Sequence, residues 1–448
     1  MNRKCRIPSY LDDFKCIAGS CKDNCCIGWD VDIDKFTFFK YQKIRDRELQ
    51  NHIQKFLFKN RKSFSPDVDF ARVKLVSKKR CAFLNEKNLC MLQAKYGEDY
   101  LSNVCATYPR LMNEIDGVIE YSATVSCEEA ARLILLSKDG FTVKNIQEKA
   151  EHRSILVYQV DTKAKGQSLI VKYLKELRDL SIEVLKFRDI DIEDRMMILN
   201  QFYLELEKAY KERNEEKLKA LISKYKAMVA LKLIITKHVT KPDTDIRKSI
   251  DVRSTVIVTD ASKQVLKMGN SQFEKQTKAK LELILVCLTE LRVFKEIDSA
   301  SYRKYTKEFL RGIGLNDSLK PNDKITEANI KKYDKAFANQ YKDFISENGY
   351  ILENYLVNYV YSNLFPAAES ESPKDSFLMF ALRFFIIKSQ LIGISAANIK
   401  LDSKQAVSFI QSFSKAIEHH KTFIEDLAEM LKSEKSSLIK DLSVLIKN

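Results

Sequence analysis

Four thiols lie within eleven residues, Cys16, Cys21, Cys25 and Cys26, and four more follow at Cys81, Cys90, Cys105 and Cys127. Nine of the ten cysteines fall between Cys5 and Cys127, and only Cys287 lies beyond. Cysteines that staple a whole fold would be spread along it. Soft thiolates crowded in this way suit Zn²⁺ or an iron–sulfur cluster, two choices that spacing alone does not separate. Of the five histidines, His52, His152, His238, His419 and His420, only His52 lies in the cysteine-rich stretch, which argues against a Cys₂His₂ site and for an all-cysteine one. Eight thiols supply two metal sites, or one site with spares.

The elements that must position these thiols read differently from the rest of the chain. Residues 1–135 hold short β-type runs such as Ala71 to Val76, and one hairpin signal, Asp116-Gly117 between Leu111–Ile115 and Val118–Tyr121. Asp-Gly adopts the positive φ angles of a two-residue turn. Asp30, Asp32 and Asp34 alternate with Val31 and Ile33, as in a strand with a solvated acidic face. From about residue 167 the period is helical: Met196, Leu199, Tyr203, Leu206 and Tyr210 recur at three and four. Comparable stretches occur near 168–188, 215–238, 274–295, 335–362, 376–398 and 405–446. Breaks are expected at 137–166, at 239–270 with a short strand at Thr255 to Val258, and at 315–330. The expected fold is mainly α, with a small Cys-rich α+β metal or cluster domain over 1–135 and a helical, substrate-binding domain over 136–448.

Composition bounds the setting. A chain of 448 residues with 45% hydrophobic residues can bury a substantial core without staples. The N-terminus has early positive charge but no apolar stretch of signal-peptide length, so a cytoplasmic protein with reduced thiols is expected. The most apolar segment, Phe377 to Ile399, carries Arg383 and Lys388 and reads as a buried helix, not a membrane span. The net charge of +15 is spread along the chain, and no basic–aromatic module of the nucleic-acid-binding kind is present, so nucleic acid is not an expected partner.

The order Phe14-x-Cys16-x₄-Cys21-x₃-Cys25-Cys26-x-Gly28-Trp29, Cys81-x-Phe83-Leu84, Leu89-Cys90, Leu101-Ser102-x₂-Cys105-x₂-Tyr108-Pro109-Arg110 and Ser126-Cys127 resembles the bacterial flagellin lysine N-methylases. Its cysteine region is similar to CxxCxxCC metal-chelating domains. One departure is that Glu128 follows Cys127 directly, where the family continues with Pro-Glu. The resemblance covers about residues 8–135. It implies methyl transfer from S-adenosylmethionine to flagellin lysines, with a 4Fe-4S cluster at the active site.

Eleven glycines and no strand followed by a glycine-rich turn leave no expectation of a Rossmann domain. The radical-type CxxxCxxC is begun by Cys21 and Cys25, but its third place falls on Gly28. A cluster iron not fully held by protein would therefore dock the amino and carboxylate groups of the methyl donor. The transfer itself is a polar displacement by a neutral amine. Vicinal side chains diverge on extended backbone, so one of Cys25 and Cys26 is expected as a ligand. The expected set is Cys21, Cys26, Cys81 and Cys90, with Cys16, Cys25, Cys105 and Cys127 as alternates. Lys78, Lys79 and Arg80 would offset the cluster's negative charge.

Tyr108 is the candidate to move a proton from the lysine, and Arg110 to pair with the donor carboxylate; both also suit a structural role. Glu128 and Glu129 suit the first turn of a helix, Trp29 the core, and Cys5 and Cys287 are bystanders. Two other readings compete with the enzyme: a zinc-stabilised, non-enzymatic adaptor, and a cluster-containing redox protein.

Overall fold

The computed structural model describes residues 2–149, 153, 155–239, 270–289, 299–317, 323–397, 401–419, 422–433 and 442–447. The expected strand at 255–258 lies outside them. The chain is mainly helical, with its strands gathered toward the N-terminus. It falls into two compact units: Met1–Asp161 with Arg292–Tyr305 and Ser403–Lys421, and Thr162–Leu291 with Thr306–Asp402 and Thr422–Asn448.

The first unit holds the strands β1 (Asn2–Pro8), β2 (Val31–Ile33), β3 (Leu57–Lys59), β4 (Ala71–Val73), β5 (Leu75–Val76), β6 (Arg80–Cys81), β7 (Arg110–Ile115), β8 (Val118–Ala123), β9 (Val143–Lys149) and β10 (Leu156–Val160). The expected hairpin is β7–β8, with Asp116 at φ 51° and Gly117 at φ 75° making its turn. It sits in a five-stranded sheet of order β10-β7-β8-β1-β9. The pairs β1/β8 and β10/β7 are parallel; β7/β8 and β1/β9 are antiparallel. The break expected at 137–166 is thus corrected, since β9 and β10 fall within it. Their strand pattern is hard to read because β9, Val-Lys-Asn-Ile-Gln-Glu-Lys, is an edge strand with polar residues on both faces.

A second sheet, β2-β4-β3, packs on the helices α1 (Lys35–Gln42) and α2 (Arg47–Phe56) around Val31, Ile33, Tyr41, Leu49, Ile53 and Val73. Asp34 is not on the solvated face expected of it. It is 1% exposed, caps α1 by accepting from Thr37 N at 2.8 Å, and accepts from Asn103 N at 2.9 Å. Asp32 pairs with Arg72 across the sheet.

The second unit is built of helices. The predicted stripe lies on Ile192–Lys211, where Met196, Leu199, Tyr203 and Leu206 are buried. Inside the unit, Glu353, 2% exposed, accepts from Arg188 and Arg195. The helix Pro373–Ala397 is long and apolar enough to cross a membrane, but its apolar window is wholly buried, as expected of Phe377–Ile399. Small residues let helices close up there. A Cβ on Gly312 would collide with the Gly393 carbonyl, and one on Gly393 with the Phe309 ring.

Candidate functional site

The thiols are carried by four short segments of the first unit. In the loop from Cys21 to Trp29, Asn24 Oδ1 accepts from Cys26 N at 2.8 Å and fixes a turn at Cys25–Cys26. Gly28, at φ 105°, then donates its N–H to Lys79 O, and Cys81 N donates to Cys26 O at 2.8 Å. The loop is thereby stitched to β6. Arg80 donates to Asn85 O and Asn88 Oδ1, holding the turn that returns the chain to Cys90. Cys90 and Cys127 occupy the cap positions of helices Met91–Tyr96 and Glu128–Leu135, and Cys105 lies in the helix Asn103–Thr107.

Cys81 belongs to the buried core of the small sheet, and Cys26, Cys90 and Cys105 pack against that core. Cys105 feels the charges of Cys81, Cys90 and Cys25, and Cys26 those of Cys25, Cys105 and Cys81. Burial, then this mutual repulsion, pushes Cys81 and Cys105 up to about 12. Cys25 is the exception. The adjoining Cys26 thiol and then the Lys415 ammonium lower it, so Cys25 becomes the more acidic of the pair and Cys26 is held protonated. The backbone at this pair is a turn, not the extended stretch on which the expectation of divergent side chains rested.

Cys21, Cys16 and Cys127 form a second neighbourhood, which also includes Cys25. Cys127 feels Cys25 and Cys16, while Cys21 bonds Glu128 at 3.5 Å and feels Cys127. Glu128 begins a helix as expected, and its carboxylate also accepts from Lys22 N at 2.7 Å. The structure thus groups Cys26, Cys81 and Cys90 with Cys105, and sets Cys21 apart. Cys5 lies in a separate core under the larger sheet, and Cys287 is buried in the second unit. His52 bonds Ala82 O at 2.6 Å and packs on Phe56 and Phe83 as a core histidine.

Among the described residues, no three His, Cys, Asp or Glu side chains stand close enough as placed to hold a single metal ion. The chemistry of the donor set fits a soft group nonetheless: several thiols, largely buried, lie within electrostatic reach of one another, and a cation, Lys415, stands near their most acidic member. Binding there would displace thiol protons.

Beside the thiols stands an aromatic and hydroxyl wall. Trp29 packs on Tyr108 at 5.6 Å between ring centroids and on His419 at 4.7 Å, and Lys415 Nζ lies 5.1 Å from the Trp29 ring. Tyr108 OH and Ser126 Oγ are 3.0 Å apart, and His419 Nε2 is 2.8 Å from the same oxygen. Lys415, 4% exposed, pairs with Asp23 and donates to Asn24 O at 3.0 Å. Gln411 Nε2 donates to Ser126 O at 2.7 Å. Burial raises Tyr108 well above the usual phenol range, with the Cys127 charge adding to it. The Arg110 guanidinium lies 5.1 Å over the Phe14 ring.

Gln411, Lys415 and His419 escape a reading of the sequence. They belong to the far end of the chain, where the 405–446 periodicity announces a helix but no motif marks these three; the one signal is that His419 is polar beside an otherwise apolar stripe.

The comparisons with known proteins agree on one family. Residues 178–445 match the family model described as the FliB lysine N-methylase C-terminal domain. Lysine-N-methylases of Salmonella choleraesuis and Salmonella typhimurium are each 28% identical over 137 residues, 30% of this chain and 33% of theirs. The flagellar biosynthetic protein FliU of Salmonella muenchen is 27% identical over 152 residues, 34% of this chain and 88% of that protein. The match thus spans about a third of the length of the two methylases. No solved structure matches.

Proposed function

This chain belongs to the FliB lysine N-methylase family, and from that premise we propose that it transfers a methyl group from S-adenosylmethionine to lysine ε-amines of flagellin, with a 4Fe-4S cluster held by thiols of its first unit. The observation that carries the reading is the convergence of Cys26, Cys81, Cys90 and Cys105 near Cys25, immediately beside the wall of Trp29 and Tyr108. The name of the FliU relative supports a flagellar substrate.

Cys25, the most acidic of the group, with Cys81, Cys90 and Cys105, which it neighbours, are the ligands this arrangement favours, and Cys26, Cys16, Cys21 and Cys127 are the alternates. A cluster bound there supplies a Lewis-acidic docking point for the amino and carboxylate groups of the methyl donor. The chain's own residues do the rest. Lys415 offsets thiolate charge near Cys25, and Asp23 keeps Lys415 in place. Trp29 and Tyr108 give the entering lysine side chain an apolar, partly dry surface. That surface favours its neutral, nucleophilic form, because removal from water lowers an ammonium pKa. Orientation of amine, methyl carbon and departing sulfur in line is the remaining contribution.

The test is anaerobic purification followed by iron, sulfide and zinc analysis and by incubation with flagellin and methyl-labelled S-adenosylmethionine. Stoichiometric iron and sulfide, with label on flagellin lysines, is the expected result. Colourless protein with tightly held zinc and no methyl transfer would refute it and favour the adaptor.

A further inference from the structure

Three phenylalanines of the first unit stand out in water: Phe36 is 74%, Phe39 46% and Phe64 93% exposed. A single exposed apolar residue is ordinary, but a group of aromatic rings on one face is not. Phe36 and Phe39 lie three apart on α1 and so share a face of it. The Phe39 ring lies 6.0 Å from that of Phe70, and Lys35 N donates to Pro66 O at 2.7 Å, which lays the loop 60–66 against the start of α1.

The loop that carries Phe64 is held by one carboxylate. Asp69, 7% exposed, accepts from Ser63 Oγ at 2.8 Å, Phe64 N at 3.1 Å, Ser65 N at 2.9 Å and Asn60 Nδ2 at 3.2 Å. Four donors on a buried carboxylate fix the backbone, so Phe64 is presented to solvent from a set position. A contact ordered beforehand loses little entropy when it binds. Asn103 ties the same patch to the thiols. Its N–H donates to Asp34, the cap of α1, its Nδ2 donates to Asp67 O at 3.0 Å, and it opens the helix that carries Cys105. The charge around the rings has one sign: residues 35–43 and 58–68 hold six cations, Lys35, Lys40, Lys43, Lys59, Arg61 and Lys62, against one exposed acid, Asp67.

We propose that this patch docks the protein substrate, taking from it an apolar surface bordered by Asp and Glu side chains. The proposal rests on the methylase reading above and adds where that reading's substrate is gripped. Lysine ε-amines are chemically alike, so choosing among them requires contacts away from the amine, and binding energy gained there serves the transfer. Rigid aromatic anchors inside a charged rim are the arrangement by which protein surfaces hold one another. The set frame and the tie to the Cys105 helix favour a protein over a lipid surface, which accepts aromatic side chains in any arrangement.

The experiment measures flagellin binding by anaerobically purified full-length protein in three variants: Phe36→Ser with Phe64→Ser, Arg61→Glu with Lys62→Glu, and Val157→Ser, an exposed apolar residue on β10 outside the patch. Iron content and S-adenosylmethionine binding confirm that each variant is intact. Both double variants are expected to weaken flagellin binding ~10-fold or more, with Val157→Ser within about twofold of wild type and turnover at saturating flagellin unchanged. Wild-type binding is expected to weaken as salt rises from ~50 to ~300 mM, because the rim charges are screened. Flagellin binding that neither double variant changes would overturn the proposal, as would wild-type protein that does not bind flagellin. Phosphatidylglycerol vesicles that bind wild type but not the double variants, while flagellin binds all alike, would assign the patch to a membrane and also overturn it. Wild-type protein that binds flagellin through the patch yet transfers no methyl would overturn the methylase reading alone and uphold the docking surface.

Discussion

Replacing Asp23 by Ala strips the buried Lys415 ammonium of its counter-ion. The pair is enclosed, with Lys415 4% and Asp23 15% exposed, and removing one partner of a buried pair costs about 3–5 kcal/mol. Two contacts survive the change. Lys415 keeps the Asn24 carbonyl at 3.0 Å and the Trp29 face at 5.1 Å, which together retain roughly 1–2 kcal/mol. A net loss of about 2–3 kcal/mol follows. Lys415→Met costs less, about 1–2 kcal/mol, because the remaining carboxylate keeps Gln411 at 3.3 Å and the edge of the solvent. The double variant must then fall short of the sum by about 1 kcal/mol or more, since the second change removes an already stranded charge. Trp29 is the only tryptophan and touches Lys415. Its emission during urea unfolding of the full chain therefore reads the first unit directly, and hydrogen exchange over 403–418 provides an independent check. Additive losses, agreeing within about 0.5 kcal/mol, would show that the two groups do not act as a pair and would refute the reasoning.

Cys81→Ala or Cys105→Ala is expected to abolish most iron binding, whereas Cys287→Ser leaves it intact; iron and sulfide analysis of anaerobically purified protein distinguishes them. Metal-free protein is expected to lose stability in alkali. Folding raises Cys81 and Cys105 from 9.0 to about 12, so their contribution is complete below pH 9 and disappears as the pH rises toward 12. Urea midpoints between pH 8 and 11 check that sign. In the second unit, Glu353→Gln withdraws the charge that both Arg188 and Arg195 require and is expected to cost about 3 kcal/mol, read by thermal unfolding. Gly312→Ala is expected to destabilise despite alanine's better helix propensity of about 1 kcal/mol, because its Cβ meets the Gly393 backbone, which cannot rotate aside.

How far the sequence could be read depended on how local each signal was. The β7–β8 hairpin needs only Asp116-Gly117 between apolar runs, and the helix Ile192–Lys211 needs only its own spacing, so both are legible. The strand β9 is not, because its identity comes from pairing with β1, 135 or more residues away along the chain, and not from an apolar face of its own. The thiols could be named as a group but not sorted. Cys105 joins Cys81 through packing of a helix against the small sheet, and Cys21 is drawn off by Glu128, neither of which is written in the spacing. Tyr108 could be singled out from its motif. Its partner His419 could not, since nothing near residue 419 records that Ser126 will be its neighbour.

The first unit is discontinuous: residues 162–402 are made between its N-terminal portion and the segment Ser403–Lys421. During synthesis at about 5–20 residues per second, the thiol loop is therefore made roughly 20–80 s before Lys415 and His419 exist. For that interval the nascent chain carries the thiols with no ammonium beside Cys25 and no imidazole beside Trp29. A ribosome that stops early releases a chain that holds the thiols, Trp29 and Tyr108 but lacks the ammonium and the imidazole that complete the wall, so the finished site requires full-length translation.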